Sequence, residues 1–242
     1  ILNFKNANIK FQNVSFKYPE TNLYALKNIN FSIDSGNTLG IVGKTGSGKS
    51  TILELITRSY DVTSGEIYLD DKTLSSYNLQ SLKSFISYVP QNPFLFSDTI
   101  MENIKFGNYT AGNDEVVKVA KDSSIHSDIS RFKDNYETLL GERGVNLSGG
   151  QIQRITIARA LLKRSKILIL DDCLSSVDTK TESNILLNIK KTKKEETVIV
   201  VSNKVSSVMH ADLIIVLDKG IIIEKGTHKQ LLSTKGFYEK LA

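Results

Sequence analysis

The chain has 242 residues, 40% of them hydrophobic and 24% charged, which suits one large or two small globular domains with a substantial core. A single cysteine, Cys173, excludes an internal disulfide framework and fits a reducing compartment; no apolar run reaches the length of a membrane-spanning helix. The net charge of +5 permits contact with acidic partners, but the densest basic run, Lys190-Lys191-Thr192-Lys193-Lys194, is followed at once by Glu195-Glu196 and reads as a solvated helix end, so no nucleic-acid partner is expected.

The opening Ile1-Leu2-Asn3-Phe4-Lys5 lacks the apolar core of a signal peptide. Residues 9 to 35 alternate as half-buried strands do, with Ile9, Phe11, Val14 and Phe16, then Leu26, Ile29, Phe31 and Ile33. Tyr18-Pro19 breaks the first strand and leaves an aromatic at its end. An apolar run, Leu39-Gly40-Ile41-Val42, leads into Gly43-Lys44-Thr45-Gly46-Ser47-Gly48-Lys49-Ser50-Thr51, after which Ile52, Leu55 and Ile56 recur at helical spacing. Strand, glycine-rich loop and helix are the context that a phosphate cradle needs. Gly43, Gly46 and Gly48 let the loop curl with its N–H groups inward, and the helix start adds its partial positive charge. Lys49 would bring a compact charge to the β- and γ-phosphates, and the Ser50 hydroxyl would ligate a bridging Mg²⁺. The nucleotide-binding set is Gly43, Thr45, Gly46, Ser47, Gly48, Lys49, Ser50 and Thr51; the bland alternative is a Gly/Ser turn, against which the complete spacing argues.

Further along, Ser64 to Asp70 reads as a turn and a short strand, and Ser87-Tyr88-Val89-Pro90-Gln91 as a strand ended by proline. Residues 97 to 165 are mostly helical in pattern, with breaks at Gly107, Gly112 and Gly141. Within them Ser148 and Gln151 have capping-box spacing, which puts Gly149 and Gly150 at a helix N-terminus; this is a second anion-binding helix end or simply a helix start. Ile167-Leu168-Ile169-Leu170 is a continuous apolar run, as in a parallel strand buried on both faces, and it ends in Asp171-Asp172. Beside a phosphate loop the Asp171 carboxylate can hold Mg²⁺ through water; alone it would be a turn former. Val198 to Val201 and Leu213 to Leu217 repeat the buried-strand signature, with a helical stretch from Ser183 to Lys190 before the first. The fold class is α/β: a mainly parallel core sheet with flanking helices and a smaller antiparallel sheet. Cys173 reads as packing, and His126, His210 and His228, without metal-ligand spacing, as surface or turn residues.

In order, the phosphate loop, Gln91, Leu147-Ser148-Gly149-Gly150-Gln151, the Asp171 strand and Ser175-Ser176-Val177-Asp178 resemble an ABC-type ATPase domain over nearly the whole chain. Gly141-Glu142-Arg143-Gly144 and Phe94 to Ile104 are similar to the exporter branch, in which membrane spans precede this domain. The resemblance implies a single nucleotide-binding domain over 1–242, with an antiparallel β subdomain at about 8–35 and 61–75, a helical subdomain at about 92–165 and a P-loop core. It implies ATP and Mg²⁺ as ligands, a place on the cytoplasmic face of a membrane, and a membrane domain expected N-terminal to Ile1. Tyr18 would stack on adenine, a role that competes with ordinary packing. Ser50, Gln91 and Asp171 would serve Mg²⁺, with Gln91 also touching the attacking water. Ser148, Gly149, Gly150 and Gln151 would bind ATP held by a second nucleotide-binding domain, Asp178 would lie at that interface, and Glu142 and Arg143 would face the membrane domain.

Two positions depart from the family's pattern. Asp172 stands where a glutamate orients and deprotonates water, and Asn203 stands where a histidine contacts the γ-phosphate. The shorter side chain withdraws the carboxylate by about 1.5 Å, a misplacement that costs roughly 10²-fold in rate. Asparagine donates a hydrogen bond but carries no titrating charge. The chain is therefore expected to hydrolyse its own ATP slowly while serving a heterodimeric partner's site with an intact motif. A slow homodimer and a regulatory ATP-binding module without membrane spans are the alternatives.

Overall fold

The computed structural model describes residues 6–21, 23–141 and 147–241. Its first elements are β1 (Ile9–Lys17), β2 (Tyr24–Ile33), β3 (Thr38–Gly43), α1 (Lys49–Ile56), β4 (Ser64–Leu69), β5 (Lys72–Thr73), α2 (Leu79–Phe85) and β6 (Ile86–Val89). Then come α3 (Ile100–Lys105), α4 (Asn113–Asp122), α5 (His126–Ile129), α6 (Gly149–Leu162), β7 (Ile167–Asp171) and α7 (Thr179–Thr192). The order is completed by β8 (Thr197–Ser202), α8 (Val205–Val208), β9 (Leu213–Asp218), β10 (Ile221–Gly226), α9 (His228–Ser233) and α10 (Phe237–Leu241). The chain forms two compact units, one from the chain up to Ile86, Lys166–Ile169 and Lys193 onward, the other from Ser87–Ser165 and Leu170–Thr192.

In the first unit β1 pairs antiparallel with β2 (Phe11↔Phe31) and with β4 (Phe11↔Ile67), in a sheet of order β2-β1-β4-β5. Phe11 and Val14 are three positions apart, which strict alternation would place on opposite faces. A register shift between them, with Asn13 at φ +51°, restores the phase, so that Ile9, Phe11, Val14 and Phe16 are all buried. The second sheet has the order β10-β9-β3-β8-β7-β6. β3 lies parallel to β8 (Ile41↔Val201) and to β9 (Ile41↔Ile215), which explains why its apolar run does not alternate.

The sequence reading stops at Leu217, yet β10 returns antiparallel to β9. Lys219 (φ +47°) and Gly220 (φ +77°) make the tight turn between them. That turn braces the phosphate loop: Gly220 N donates to Ser47 O at 3.0 Å, while Gly220 O accepts from Lys27 N at 2.8 Å. The basic run needs a correction. Lys190 and Lys191 are exposed in the last turn of α7, but the Lys193 side chain is only 10% exposed and pairs with Glu196 at 3.2 Å.

The second unit packs α3, α4 and α6 around Leu95, Ile100, Ile104, Val116, Ala120 and Ile155. The breaks at Gly107 and Gly112 fall between α3 and α4, and Gly112 caps α4 with its N–H donated to Glu115 Oε2 at 3.1 Å. Among the described residues no helix is long and apolar enough to cross a membrane.

Candidate functional site

The first unit supplies the phosphate loop between β3 and α1. Gly43 has no room for a side chain, since a Cβ there would lie 2.3 Å from Leu217 O, and Gly48 caps α1 at φ +105°, a conformation that costs other residues strain. A Cβ on Gly46 would meet open space, so the loop's outer face is clear. Lys49 is buried, and its ammonium donates to Gly43 O (2.7 Å), Lys44 O (2.9 Å) and Asn203 Oδ1 (2.8 Å). Lys49 and Asn203 are therefore brought together, although 154 residues separate them. Thr45 and Ser50 are exposed, and Thr51 is buried with its hydroxyl 2.9 Å from that of Tyr18. Among the described residues the buried Ser47 hydroxyl has no hydrogen-bond partner.

Tyr18, just past β1, is held by more than its strand. Its hydroxyl donates to Glu54 Oε2 on α1 at 2.7 Å, and its ring meets Phe16 and Tyr60 edge-on at 4.9 and 5.4 Å. Burial, then the bond to Glu54, raises the tyrosine's pKa.

The second unit carries the acids. Asp171 ends β7, and Asp172 follows in a left-handed conformation at φ +44°, which aspartate tolerates better than most residues. Gln91 Nε2 donates to Asp172 Oδ2 at 3.2 Å, and Tyr88 Oη donates to Asp171 Oδ2 at 2.6 Å. Cys173 beside them is fully buried, and its thiol pKa is driven up by desolvation.

The same unit holds the helix start read from the sequence. Ser148 caps α6: its Oγ accepts from Gln151 N at 3.3 Å, and its N–H donates to Gln151 Oε1 at 2.9 Å. Gly150 has no space for a methyl, because a Cβ would lie 2.8 Å from Ser176 O. Gln151 Nε2 reaches Asp128 Oδ1 at 3.3 Å, and Asp128 is paired with Arg154 at 2.8 Å. Asp178 caps α7, accepting from Thr181 N at 3.0 Å, and that bond lowers its pKa. Glu142 and Arg143 lie outside the described residues.

Phe94 and Phe96 were named from the sequence only for their likeness to the exporter branch, and Phe106, Tyr109 and Arg159 were passed over. Phe94, Phe96, Phe106 and Tyr109 form an exposed aromatic chain, with successive centroids 5.0, 4.7 and 5.8 Å apart. Arg159 lies against Phe96 and Phe106 and donates to Phe94 O, Asn103 O and Asn103 Oδ1 at 2.9, 2.7 and 2.9 Å. Burial lowers its pKa to about 10, so it stays charged at neutral pH. Two histidines are not plain surface residues either: His126 bonds Tyr136 at 2.8 Å, and His228 bonds the buried Tyr238 at 2.9 Å. Among the described residues no His/Cys/Asp/Glu cluster could hold a metal.

A braced glycine loop between a buried parallel strand and a helix, with an acid at another strand's end, defines a P-loop nucleoside-triphosphate-binding protein. Residues 26–175 match the family model described as ABC transporter. The chain belongs to the ABC transporter family. It is 45% identical over 98% of its length to the uncharacterized ABC transporter ATP-binding protein YfiB of Bacillus subtilis, covering 41% of that protein. It is 46% identical over 97% of its length to an ATP-dependent lipid A-core flippase of Blochmanniella floridana, covering 40% of it. A solved bacterial Atm1-family ABC exporter with ATP bound matches with TM-score 0.94 at 37% identity, over 99% of this chain and 42% of that one. The chain thus spans about two fifths of these relatives and is an ABC transporter ATP-binding domain homologous to exporter ATPases.

Proposed function

We propose that this domain powers an exporter, holding ATP on its own phosphate loop with weak hydrolytic equipment and lending Ser148 to Gln151 to ATP on a different subunit. The observation that carries the reading is the 2.8 Å bond between Asn203 Oδ1 and Lys49 Nζ. It puts at the phosphate-binding lysine a side chain that cannot titrate, in the place where the family's pattern has a histidine. Asp172, bonded to Gln91, is the second weakness. The complete capping box of Ser148 and Gln151 supports the intact half of the division.

Ser50 in the first unit offers a hydroxyl, and Gln91 and Asp171 in the second an amide and a carboxylate oxygen, each a hard donor of the kind that Mg²⁺ takes. Mg²⁺ would supply charge neutralisation on the β- and γ-phosphates. Tyr18 would present its ring to adenine, and Asp178 would meet the partner domain. An exposed aromatic surface of the kind formed by Phe94 to Tyr109 marks a docking site, and it supports attachment to a membrane domain, which Glu142 and Arg143 would also face. Homology to membrane exporters supports a place for the domain on the cytoplasmic face of a membrane.

ATP turnover of the native chain, compared with Asp172→Glu/Asn203→His, tests the reading. We expect very slow native turnover and a rise on the order of 10²-fold in the double variant when dimers form. Rapid hydrolysis by the native chain would refute it.

A further inference from the structure

Tyr88 has no role in the scheme above. It sits on β6 between Ser87 and Val89, which are both buried, and is itself 41% exposed. Its hydroxyl donates to Asp171 Oδ2 at 2.6 Å, inside the range of O–H bonds to a charged carboxylate. Three residues on, Gln91 reaches Asp172 at the longer distance of 3.2 Å. The two consecutive acids at the end of β7 each take a donor from the same short segment, and the tyrosine bond is the stronger of the two.

We propose that Tyr88 is a positioning residue for the metal-binding carboxylate. The terminal torsion of aspartate is soft, so Asp171 alone would present its oxygens over a broad arc. A phenol bonded to Oδ2 restrains the carboxylate plane and so narrows the arc over which it can meet a metal. Partners of this outer kind are worth roughly 10–100-fold in metal affinity. The inference rests on the reading of Asp171 as the Mg²⁺ carboxylate.

The test uses the 242-residue chain, the ATP analogue AMP-PNP and Mn²⁺ as a stand-in for Mg²⁺. Affinity for the analogue is measured with Mn²⁺ and with EDTA, and the ratio gives the metal's contribution. Tyr88→Phe keeps the ring and removes only the hydroxyl. We expect it to lower the ratio about tenfold while the EDTA affinity stays within twofold of native. In an Asp171→Asn background, adding Tyr88→Phe should change the ratio no further, which a merely structural effect of the phenol would not reproduce. An unchanged ratio in Tyr88→Phe, or a full extra loss in the Asp171→Asn background, overturns the positioning role while leaving ATP binding intact. A native ratio of one overturns the metal role of Asp171 and this inference with it, and failure of the native chain to bind AMP-PNP at all overturns the proposed function itself.

Discussion

Asn103→Ala tests whether a single buried amide organises the aromatic surface. Asn103 is 1% exposed, and its Oδ1 accepts from Phe96 N at 2.8 Å and from Arg159 Nη2 at 2.9 Å. Its Nδ2 donates to Phe96 O at 3.0 Å and Thr99 O at 2.9 Å. Those two carbonyls keep other donors, Asp98 N at 2.9 Å and Asn103 N at 3.0 Å, so truncation does not orphan them. The Phe96 N–H and one guanidinium N–H do lose their acceptor. At about 1–3 kcal/mol for each of the two donors left without a partner, the variant should lose about 2–6 kcal/mol. Because the chain has no tryptophan, urea unfolding is followed by circular dichroism, and hydrogen exchange at the Phe96 amide reports the local break. A loss below about 1 kcal/mol, or undiminished protection of that amide, would refute the reasoning.

Three further outcomes follow. Ser47→Ala deletes a buried hydroxyl that has no hydrogen-bond partner among the described residues, and it should raise stability by about 1 kcal/mol in thermal melts run without nucleotide. Gly150→Ala would push a methyl to 2.8 Å from Ser176 O, a backbone atom that cannot yield cheaply; own-site ATP affinity should survive while turnover at a partner's site falls at least roughly tenfold. Burial of Cys173 raises its thiol pKa, so the folded state keeps a proton that the unfolded state loses above its ordinary value of 9.0. Stability is complete below that pH and should fall above it, by up to about 1.4 kcal/mol per unit between pH 9 and 10, and Cys173→Ala should flatten the slope.

What could be read from the sequence was local. The phosphate loop and the Ser148–Gln151 cap are contiguous, and each residue's task follows from its neighbours' spacing. β3, β7, β8 and β9 announced themselves as unbroken apolar runs because successive residues along each are buried. β10 did not, since Ile221-Ile222-Ile223 is followed at once by Glu224-Lys225 and half its residues face solvent. The contacts that give the site its character join residues far apart: Lys49 and Asn203 by 154 positions, Tyr88 and Asp171 by 83, Asn103 and Arg159 by 56. No periodicity encodes such pairs. The left-handed turn at Asp172 was equally hidden, because aspartate adopts it without a glycine to signal it.

Ser148 and Gln151 were open to two readings, a helix cap and a ligand for a neighbour's phosphate; the cap is present, and under the proposed function the two are successive uses of the same groups. The Ser148 Oγ to Gln151 N bond, at 3.3 Å, is at the long end for an N–H donor. Losing a cap of this kind costs about 0.5–2 kcal/mol. An anion seated on the same amides returns about 1.5–3 kcal/mol for each charge-assisted bond, with the helix dipole adding to it. Exchange therefore favours the phosphate when one is offered and the cap when none is. Gln151 is meanwhile aimed through Asp128, which Arg154 anchors from the next turn of α6. The motif is thus assembled within one chain, before any partner arrives. Under the proposed function, the lending half of this domain would stay complete while Asp172 and Asn203 weaken the half that it keeps.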